Sequence, residues 1–258
     1  MELGIFTSGL LGSLAAGSCT AVGALPILLR AQWSDRQRVV MLAVAAGVML
    51  GATIFSLLLP ALAIVQERGG SELDSVLVGS AGLLLGAVAI WALHAVTPHE
   101  HFTKGREGPG WLQLGRYWLL VIAITLHNFP EGMSVGVAFG PGPSEGLAVA
   151  IGIGLQNLPE GLAVAAALAA DGATRTRAFL TALATGLVEP VGGAVGAAAV
   201  SLSSSVLPWA LAFSAGAMLF VISGEIIPET HHEGFERPAT FSLVLGFIVM
   251  MVLDVLLA

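Results

Sequence analysis

Two short segments of this sequence carry the residues whose types and spacing could do chemistry. His127-Asn128-Phe129-Pro130-Glu131-Gly132 is followed 29 residues later by Gln156-Asn157-Leu158-Pro159-Glu160-Gly161. In each copy an imidazole or a carboxamide stands four residues before a carboxylate, and residues four apart share one face of a helix. Each copy therefore offers a nitrogen or oxygen donor and a carboxylate on one helix face, with an Asn carboxamide beside them.

The two segments lie in long apolar runs on either side of a turn at Pro141–Gly146. Because this turn is midway between them, an antiparallel hairpin places both at the same depth, near the middle of a bilayer at ~1.5 Å rise per residue. Pro130 and Pro159 cannot donate a backbone hydrogen bond, so each frees a carbonyl four residues earlier. Irregular backbone of this kind is tolerated in a membrane where it lines a cavity.

A third acid, Glu189, precedes Pro190 in another apolar run, and none of the three runs contains an internal Lys or Arg. Burying each carboxylate in a membrane costs at least a few kcal/mol, so a cationic ligand is the simplest missing partner. Carboxylates alone suit calcium, magnesium or protons, whereas the imidazole of His127 shifts the preference toward zinc and its first-row neighbours. The three acids and His127 thus predict a divalent-cation site.

The composition requires lipid around this site. Of the 258 residues, 56% are hydrophobic and only 10% are charged, whereas soluble domains carry about a quarter charged residues. The net charge of -7 argues against nucleic-acid binding, which needs basic surfaces. The single cysteine, Cys19, excludes an intrachain disulfide and is interpreted as a packing residue. We expect an all-α membrane protein in contact with the lipid bilayer.

Charge-poor runs long enough to cross a bilayer predict eight transmembrane spans in a single domain, 1–258. They cover about residues 5–29, 39–65, 75–96, 117–140, 146–170, 178–200, 207–227 and 239–257. Nine of the ten Lys and Arg residues then share one face: Arg30, Arg36, Arg38, Lys104, Arg106, Arg116, Arg175, Arg177 and Arg237. The positive-inside rule assigns that face to the cytoplasm and both termini to the outside of the cell membrane.

The paired segments, Glu189-Pro190 and the eight spans resemble the ZIP family of metal transporters, particularly its bacterial GufA-like branch. The resemblance implies inverted repeats, spans one to three and six to eight, around a central hairpin of spans four and five, a 3+2+3 plan. It also implies a homodimer and a binuclear metal site. The implied ligands of the first metal are Met49, His127, Glu131, Gln156 and Glu160; those of the second are Asn128, Glu131, Asn157, Glu160 and Glu189.

Met49, from the residues alone, is typical of core packing, and only the resemblance makes it a ligand. Many family members have histidine where this chain has Gln156. Losing that imidazole softens the preference for zinc and leaves cadmium, iron, manganese or cobalt open.

Other polar residues are candidates for the pathway of the ion. Four residues lie at or beyond the end of span three, namely His94, His99, Glu100 and His101. They resemble the family's metal-catching His loop, and the alternative is that they are solvated loop residues. Glu225, Glu229, His231 and His232 near the end of span seven could form an exit relay. Ser56 follows Met49 by seven residues on the same predicted helix face and could line the path. Asp254 is interpreted as an interfacial residue.

The function predicted from these residues is transport of divalent metal, Zn²⁺ foremost with Cd²⁺ as a possible substitute, into the cytoplasm. One alternative is a proton- or sodium-coupled carrier of a small organic solute, with the acids serving the coupling ion. Another is an intramembrane metallohydrolase. That class needs a metal motif such as HExxH, which the chain lacks, so we expect no enzymatic activity.

Overall fold

The fold was taken from a computed structural model, which describes residues 4–30, 32–101, 105–109, 115–232 and 234–257. Eight helices are long and apolar enough to cross a membrane, which confirms the predicted all-α, eight-span fold. Spans 1 to 8 are Ile5–Leu29, Asp35–Glu67, Glu72–Val96, Arg116–Ala138, Pro143–Ala170, Arg175–Leu202, Ser204–Thr230 and Glu236–Leu257.

Several spans are composed of more than one helical piece. Span 1 divides into Ile5–Ala24 and Pro26–Leu29, and span 6 into Arg175–Gly186 and Glu189–Leu202. Span 2 runs as Asp35–Gly51, a π-helical stretch Ala52–Leu58, and Leu59–Glu67. Span 7 runs as a 3₁₀ turn Ser204–Val206, Leu207–Val221, a π-helical stretch Ile222–Ile226, and Ile227–Thr230. A small antiparallel hairpin, β1 His99–His101 and β2 Gly105–Glu107, joins spans 3 and 4.

The helices extend beyond the apolar runs because their ends are capped. Ser34 and Ser71 each form a capping box with the residue three positions later, and Thr174 accepts a hydrogen bond from the backbone of Arg177. Such caps satisfy N–H groups that have no partner within the helix. The charged residues that follow, such as Asp35 and Glu72, therefore belong to the helices and lie at their ends.

Eight described arginines of the predicted cation-rich face lie at one end of the bundle. They are Arg30, Arg36, Arg38, Arg106, Arg116, Arg175, Arg177 and Arg237. We call this end the arginine-rich side. Arg68 lies at the opposite end, and Lys104 falls outside the described residues.

The most extensive helix packing joins span 1 to span 5, span 4 to span 6, span 2 to span 8 and span 3 to span 7. Exchanging spans 1 with 6, 2 with 7, 3 with 8 and 4 with 5 maps this set of pairs onto itself, as two inverted repeats around a central hairpin would. The pairs also define two groups, which we call group A (spans 1, 4, 5 and 6) and group B (spans 2, 3, 7 and 8).

Glycines allow backbones to meet within each group. In group A, a methyl on Gly132 would overlap the backbone carbonyl of Glu189; in group B, a methyl on Gly86 would overlap that of Phe213. Close approaches of this kind hold helices together in a membrane by van der Waals packing. Between the groups, Gly152 of span 5 instead faces the flexible side chain of Met250 in span 8.

Candidate metal centre

The two repeated motifs meet inside group A, at the same depth, as the hairpin predicts. The Gln156 side chain donates from Nε2 to Glu131 Oε2 at 2.6 Å and to Asn157 Oδ1 at 2.8 Å. Glu131 and Gln156 have no exposed surface, and Asn157 is 1% exposed. Both motif helices continue through their prolines, Pro130 and Pro159.

Span 6 brings Glu189 to the same place. Asn157 donates from Nδ2 to Glu189 Oε1 at 2.7 Å and to the backbone carbonyl of Ala16 in span 1 at 2.8 Å. Glu189 is the first residue of the second helical piece of span 6, where the helix dipole favours a carboxylate. Three spans therefore hold the centre through amide hydrogen bonds, and span 1 supplies an acceptor that orients Asn157.

Buried oxygens around these bonds receive no hydrogen bond from the protein. They are one oxygen each of Asn128, Glu131, Gln156, Glu160 and Glu189. A buried acceptor without a donor costs about 1–3 kcal/mol, and natural proteins leave few such atoms. All five atoms are electron-pair donors of the kind that bind divalent cations.

The electrostatics point the same way. Among the described residues, no Lys or Arg forms an ion pair with Glu131, Glu160 or Glu189. In that same part of the chain, no group of three His, Cys, Asp or Glu side chains is arranged to hold a metal ion, so a metal site here would require these side chains to move closer together. Glu131 and Glu189 are held by amides, and His127 by another acid.

Met49 of span 2 is fully buried in the largest apolar cluster, together with Met133 and Val135. Its backbone carbonyl accepts a hydrogen bond from Thr53 at 2.8 Å. The side chain is placed among core residues, so a thioether ligand at this position stays a prediction.

His127 points toward span 7. Its Nε2 is bonded to Glu225 Oε2, and the other carboxylate oxygen of Glu225 lies 2.9 Å from His94 Nδ1. Glu225 belongs to the π-helical stretch of span 7, a distortion that often marks functional positions. The structure thus joins a motif histidine of span 4 to two pathway candidates.

His99 extends this cluster toward the hairpin between spans 3 and 4. Its ring centroid is 4.7 Å from that of His94, and its Nδ1 lies 2.8 Å from the Thr97 carbonyl. Burial lowers the pKa of His99, which favours a neutral imidazole near pH 7, the form that binds metals. His101 belongs to strand β1, and its side chain lies outside the described part of the structure.

Three other pathway candidates are placed away from this cluster. His231 lies 3.2 Å from Thr240 Oγ1 and 3.1 Å from the Ile227 carbonyl, and the His232 ring is 4.9 Å from that of Phe235. Ser56 donates to Asp254 Oδ1 of span 8 at 2.5 Å.

The predicted alignment of Ser56 with Met49 on one helix face assumed α-helical spacing. Ser56 instead lies in the π-helical stretch of span 2, where i→i+5 hydrogen bonds change the angular spacing of residues. This explains why Ser56 reaches Asp254, which is a hydrogen-bonded residue rather than a purely interfacial one.

Two adjoining cavities lead from the centre to the arginine-rich side. The deeper one, which we call the inner chamber, is lined by His127, Glu160 and Glu225, with Glu100 and Glu229. The shallower one, which we call the vestibule, is lined by polar side chains at the helix ends, namely Asp35, Arg38, Arg116, Asp171, Glu229 and His232. A further cavity near Glu67 and Glu145 lies at the opposite end of the bundle.

Comparison with known proteins identifies the family. The sequence profile described as "ZIP Zinc transporter" matches residues 94–254. "Zinc transporter GufA" of Myxococcus xanthus is 49% identical over 248 residues, covering 96% of this chain and 98% of the relative. "Zinc transporter ZIPB" of Bordetella bronchiseptica is 44% identical over 245 residues, covering 95% and 79%. The chain belongs to the ZIP family.

A human member, "Zinc transporter ZIP11", is 32% identical over 331 residues, covering 95% of this chain and 96% of its own length. The ZIP profile begins at His94, so it omits spans 1 and 2 and nearly all of span 3, whereas the alignments with these three relatives cover nearly the whole chain. With eight apolar spans, this ZIP protein is a multi-pass membrane protein.

Some residues around the centre were not singled out from the sequence. The Ala16 carbonyl orients Asn157, and Glu107 lies 3.8 Å from His99 Nε2. A backbone carbonyl carries no residue-type signal, so Ala16 could not have been found. Glu100, by contrast, belongs to the predicted His loop, and the structure places it in the lining of the inner chamber.

Proposed function

We propose that this protein transports divalent metal ions, principally zinc, across the membrane into the cytoplasm. The observation that carries the proposal is the set of buried, donor-free oxygens beside three membrane-embedded carboxylates. A divalent cation would satisfy these oxygens and offset the charge. The relatives named as zinc transporters support zinc as the substrate.

The proposed binding site is binuclear. The first ion is bound by Met49, His127, Glu131, Gln156 and Glu160, and the second by Asn128, Glu131, Asn157, Glu160 and Glu189. The hydrogen bonds that join Gln156, Asn157, Glu131 and Glu189 support this assignment, because they hold four of the proposed ligands together. The carboxamide of Gln156 gives a weaker preference for zinc than an imidazole would, so Cd²⁺, Fe²⁺ and Mn²⁺ are further candidate substrates.

The proposed direction follows from the charges and the cavities. The positive-inside rule makes the arginine-rich side cytoplasmic and both termini extracytoplasmic, in the cell membrane. The inner chamber and the vestibule adjoin on that side, so the described conformation would release its ion inward. After leaving His127, the ion would be received by Glu225, His94 and His99 on its path toward the cytoplasm.

We further propose that access alternates by movement of group A against group B. The metal centre is built mainly on spans 4, 5 and 6 of group A, whose backbones touch through glycines. Contacts across the groups, such as Ser134 Oγ to Met218 Sδ at 3.0 Å, involve side chains. Side-chain contacts can exchange without breaking a helix, which favours motion at this boundary.

The test is uptake of labelled zinc and cadmium into proteoliposomes by the wild type, His127→Ala and Glu131→Ala. We expect saturable uptake that both substitutions abolish, while His231→Ala, which removes a histidine outside the inner chamber, retains it. A folded protein that moves no divalent ion, or normal transport by both variants, would overturn the proposal. The proton- or sodium-coupled solute carrier would then become the leading explanation.

The homodimer is proposed on the family resemblance alone. Native mass spectrometry in detergent tests it directly. We expect a mass near twice the 26.3 kDa of the chain, and a monomer at all concentrations would contradict it.

A further inference from the structure

The inner chamber and the vestibule meet at a shared boundary, which we call the neck. Four residues line both cavities and therefore form it: Leu42, Leu120, Val164 and Glu229. Leu120 and Val164 are 1% and 4% exposed, and Leu42 and Glu229 are half-buried. Three of the four side chains are aliphatic, and Glu229 is the charged member of the set.

The neck is built from both helix groups. Leu120 and Val164 come from spans 4 and 5 of group A, whereas Leu42 and Glu229 come from spans 2 and 7 of group B. The direct path of an ion from the inner chamber to the vestibule runs past these side chains. It would leave the proposed relay at Glu225 and enter a space with charged groups of both signs, such as Asp171 and Arg116.

A neck of aliphatic side chains opposes the passage of a hydrated ion. Hydrophobic constrictions gate channels because water leaves them readily, and a divalent cation that loses water there needs an anionic partner. Glu229 is the carboxylate at this position. It can stabilise the ion between the inner chamber and the vestibule without being part of the central site.

We propose that Glu229 is the residue that passes the metal ion through the apolar neck and thereby sets the rate of its release. This inference rests on the proposed function and adds a rate-determining residue outside the binuclear centre. It assigns Glu229 the role of a transient ligand, and it assigns the aliphatic side chains of the neck the role of a barrier that makes this ligand necessary.

The experiment compares maximal zinc uptake by Glu229→Gln, Glu229→Asp and a matched control, Glu236→Gln. Glu236 is an exposed acid at the start of span 8, on the same side of the bundle. We expect Glu229→Gln to lower the maximal rate about tenfold or more, because it removes the charge that offsets the ion. Glu229→Asp and Glu236→Gln should remain within about twofold of wild type.

A double variant tests the barrier itself. Leu42→Ala widens the neck, so it should restore most of the uptake that Glu229→Gln loses, while changing the wild type little. The proposal would be overturned if the maximal rate of zinc uptake by Glu229→Gln were equal to that of wild type or fell no further than that of Glu236→Gln. Failure of Leu42→Ala to restore any uptake would overturn the barrier.

Zinc binding separates this inference from the proposed function. Calorimetric titration of detergent-solubilised Glu229→Gln should give the wild-type zinc affinity, because the central ligands are unchanged. Loss of binding in this variant would mean that Glu229 belongs to the centre and would overturn the neck proposal. If the wild type itself transports no zinc, the proposed function fails, and this inference fails with it.

Discussion

At the scale of single residues, two carboxamides at proposed ligand positions also hold their neighbours in place. Gln156 and Asn157 use their N–H groups to hold Glu131, Glu189 and the Ala16 carbonyl. The side-chain oxygens of both residues can still accept hydrogen bonds or bind a cation near the centre. Amides can therefore fix the acids in place before an ion arrives, which reduces the reorganisation that binding requires.

The first prediction concerns selectivity. Gln156→His replaces a carboxamide oxygen by an imidazole nitrogen. An imidazole favours zinc, whereas oxygen ligands favour manganese. We expect the zinc-to-manganese ratio of uptake to rise several-fold, measured by competition between labelled zinc and unlabelled Mn²⁺ in proteoliposomes. Asn128→His, at the proposed second site, is the comparison. An unchanged ratio in Gln156→His would remove position 156 from the first site.

The second prediction concerns a hydroxyl in the apolar core. Ser214 has no exposed surface, and its Oγ receives and donates no hydrogen bond. Removing an unsatisfied buried group should stabilise the fold by about 1 kcal/mol. Thermal unfolding of Ser214→Ala in detergent measures this. Ser223→Ala, whose Oγ is bonded to the Leu219 carbonyl at 2.5 Å, should not be stabilised.

At the scale of helices, much of the architecture could be predicted because it depends on local composition. Apolar run length and the alternation of charges predict eight spans, and the midway turn predicts that Glu131 and Gln156 meet. The break in span 6 has a sequence signal in Pro190, which is favoured in the first turn of a helix. The π-helical stretches instead depend on packing between helices, and propensity does not encode them. For the same reason, the meeting of His127, Glu225 and His94 was not evident from three separate segments.

The third prediction concerns helix packing. A methyl group on Gly132 would overlap the Glu189 backbone, so Gly132→Ala should push span 6 away from span 4. Overpacking in a core costs about 1–3 kcal/mol, and we expect a loss of that size together with weaker zinc binding. Thermal unfolding with and without zinc provides both readings. Gly224→Ala, where the nearest atom is 4.0 Å away, is the matched control and should unfold like wild type.

At the scale of the whole molecule, charge is distributed unevenly between the two faces. The face opposite the arginine-rich side carries Glu67, Glu72, Asp74 and Glu145 with Arg68. Glu67, Glu145 and Arg68 also line the cavity at that end. An acidic face raises the local concentration of cations and speeds their capture.

The fourth prediction follows from this field. In the proposed orientation, Glu67→Gln combined with Glu145→Gln should raise the KM for zinc several-fold and leave the maximal rate unchanged. The difference from wild type should shrink at high ionic strength, because salt screens exposed charges. Uptake measured at two salt concentrations tests both points. A fall in the maximal rate with unchanged KM would instead place these acids in a slow step of transport.

The π-helical stretch of span 2 determines how this span would respond to the loss of one residue. Pro60 follows Ala52–Leu58 by two residues, and Pro228 follows Ile222–Ile226 by two as well. A π-helical turn accommodates one residue more than an α-helical turn. Deleting one residue within 52–58 would let span 2 return to α-helical pairing with its two halves facing much as they do now, whereas a deletion in an α-helical part of the span would rotate them by about 100° relative to each other. The facing directions of Met49 and of Glu67 should therefore tolerate the loss of one residue in this stretch.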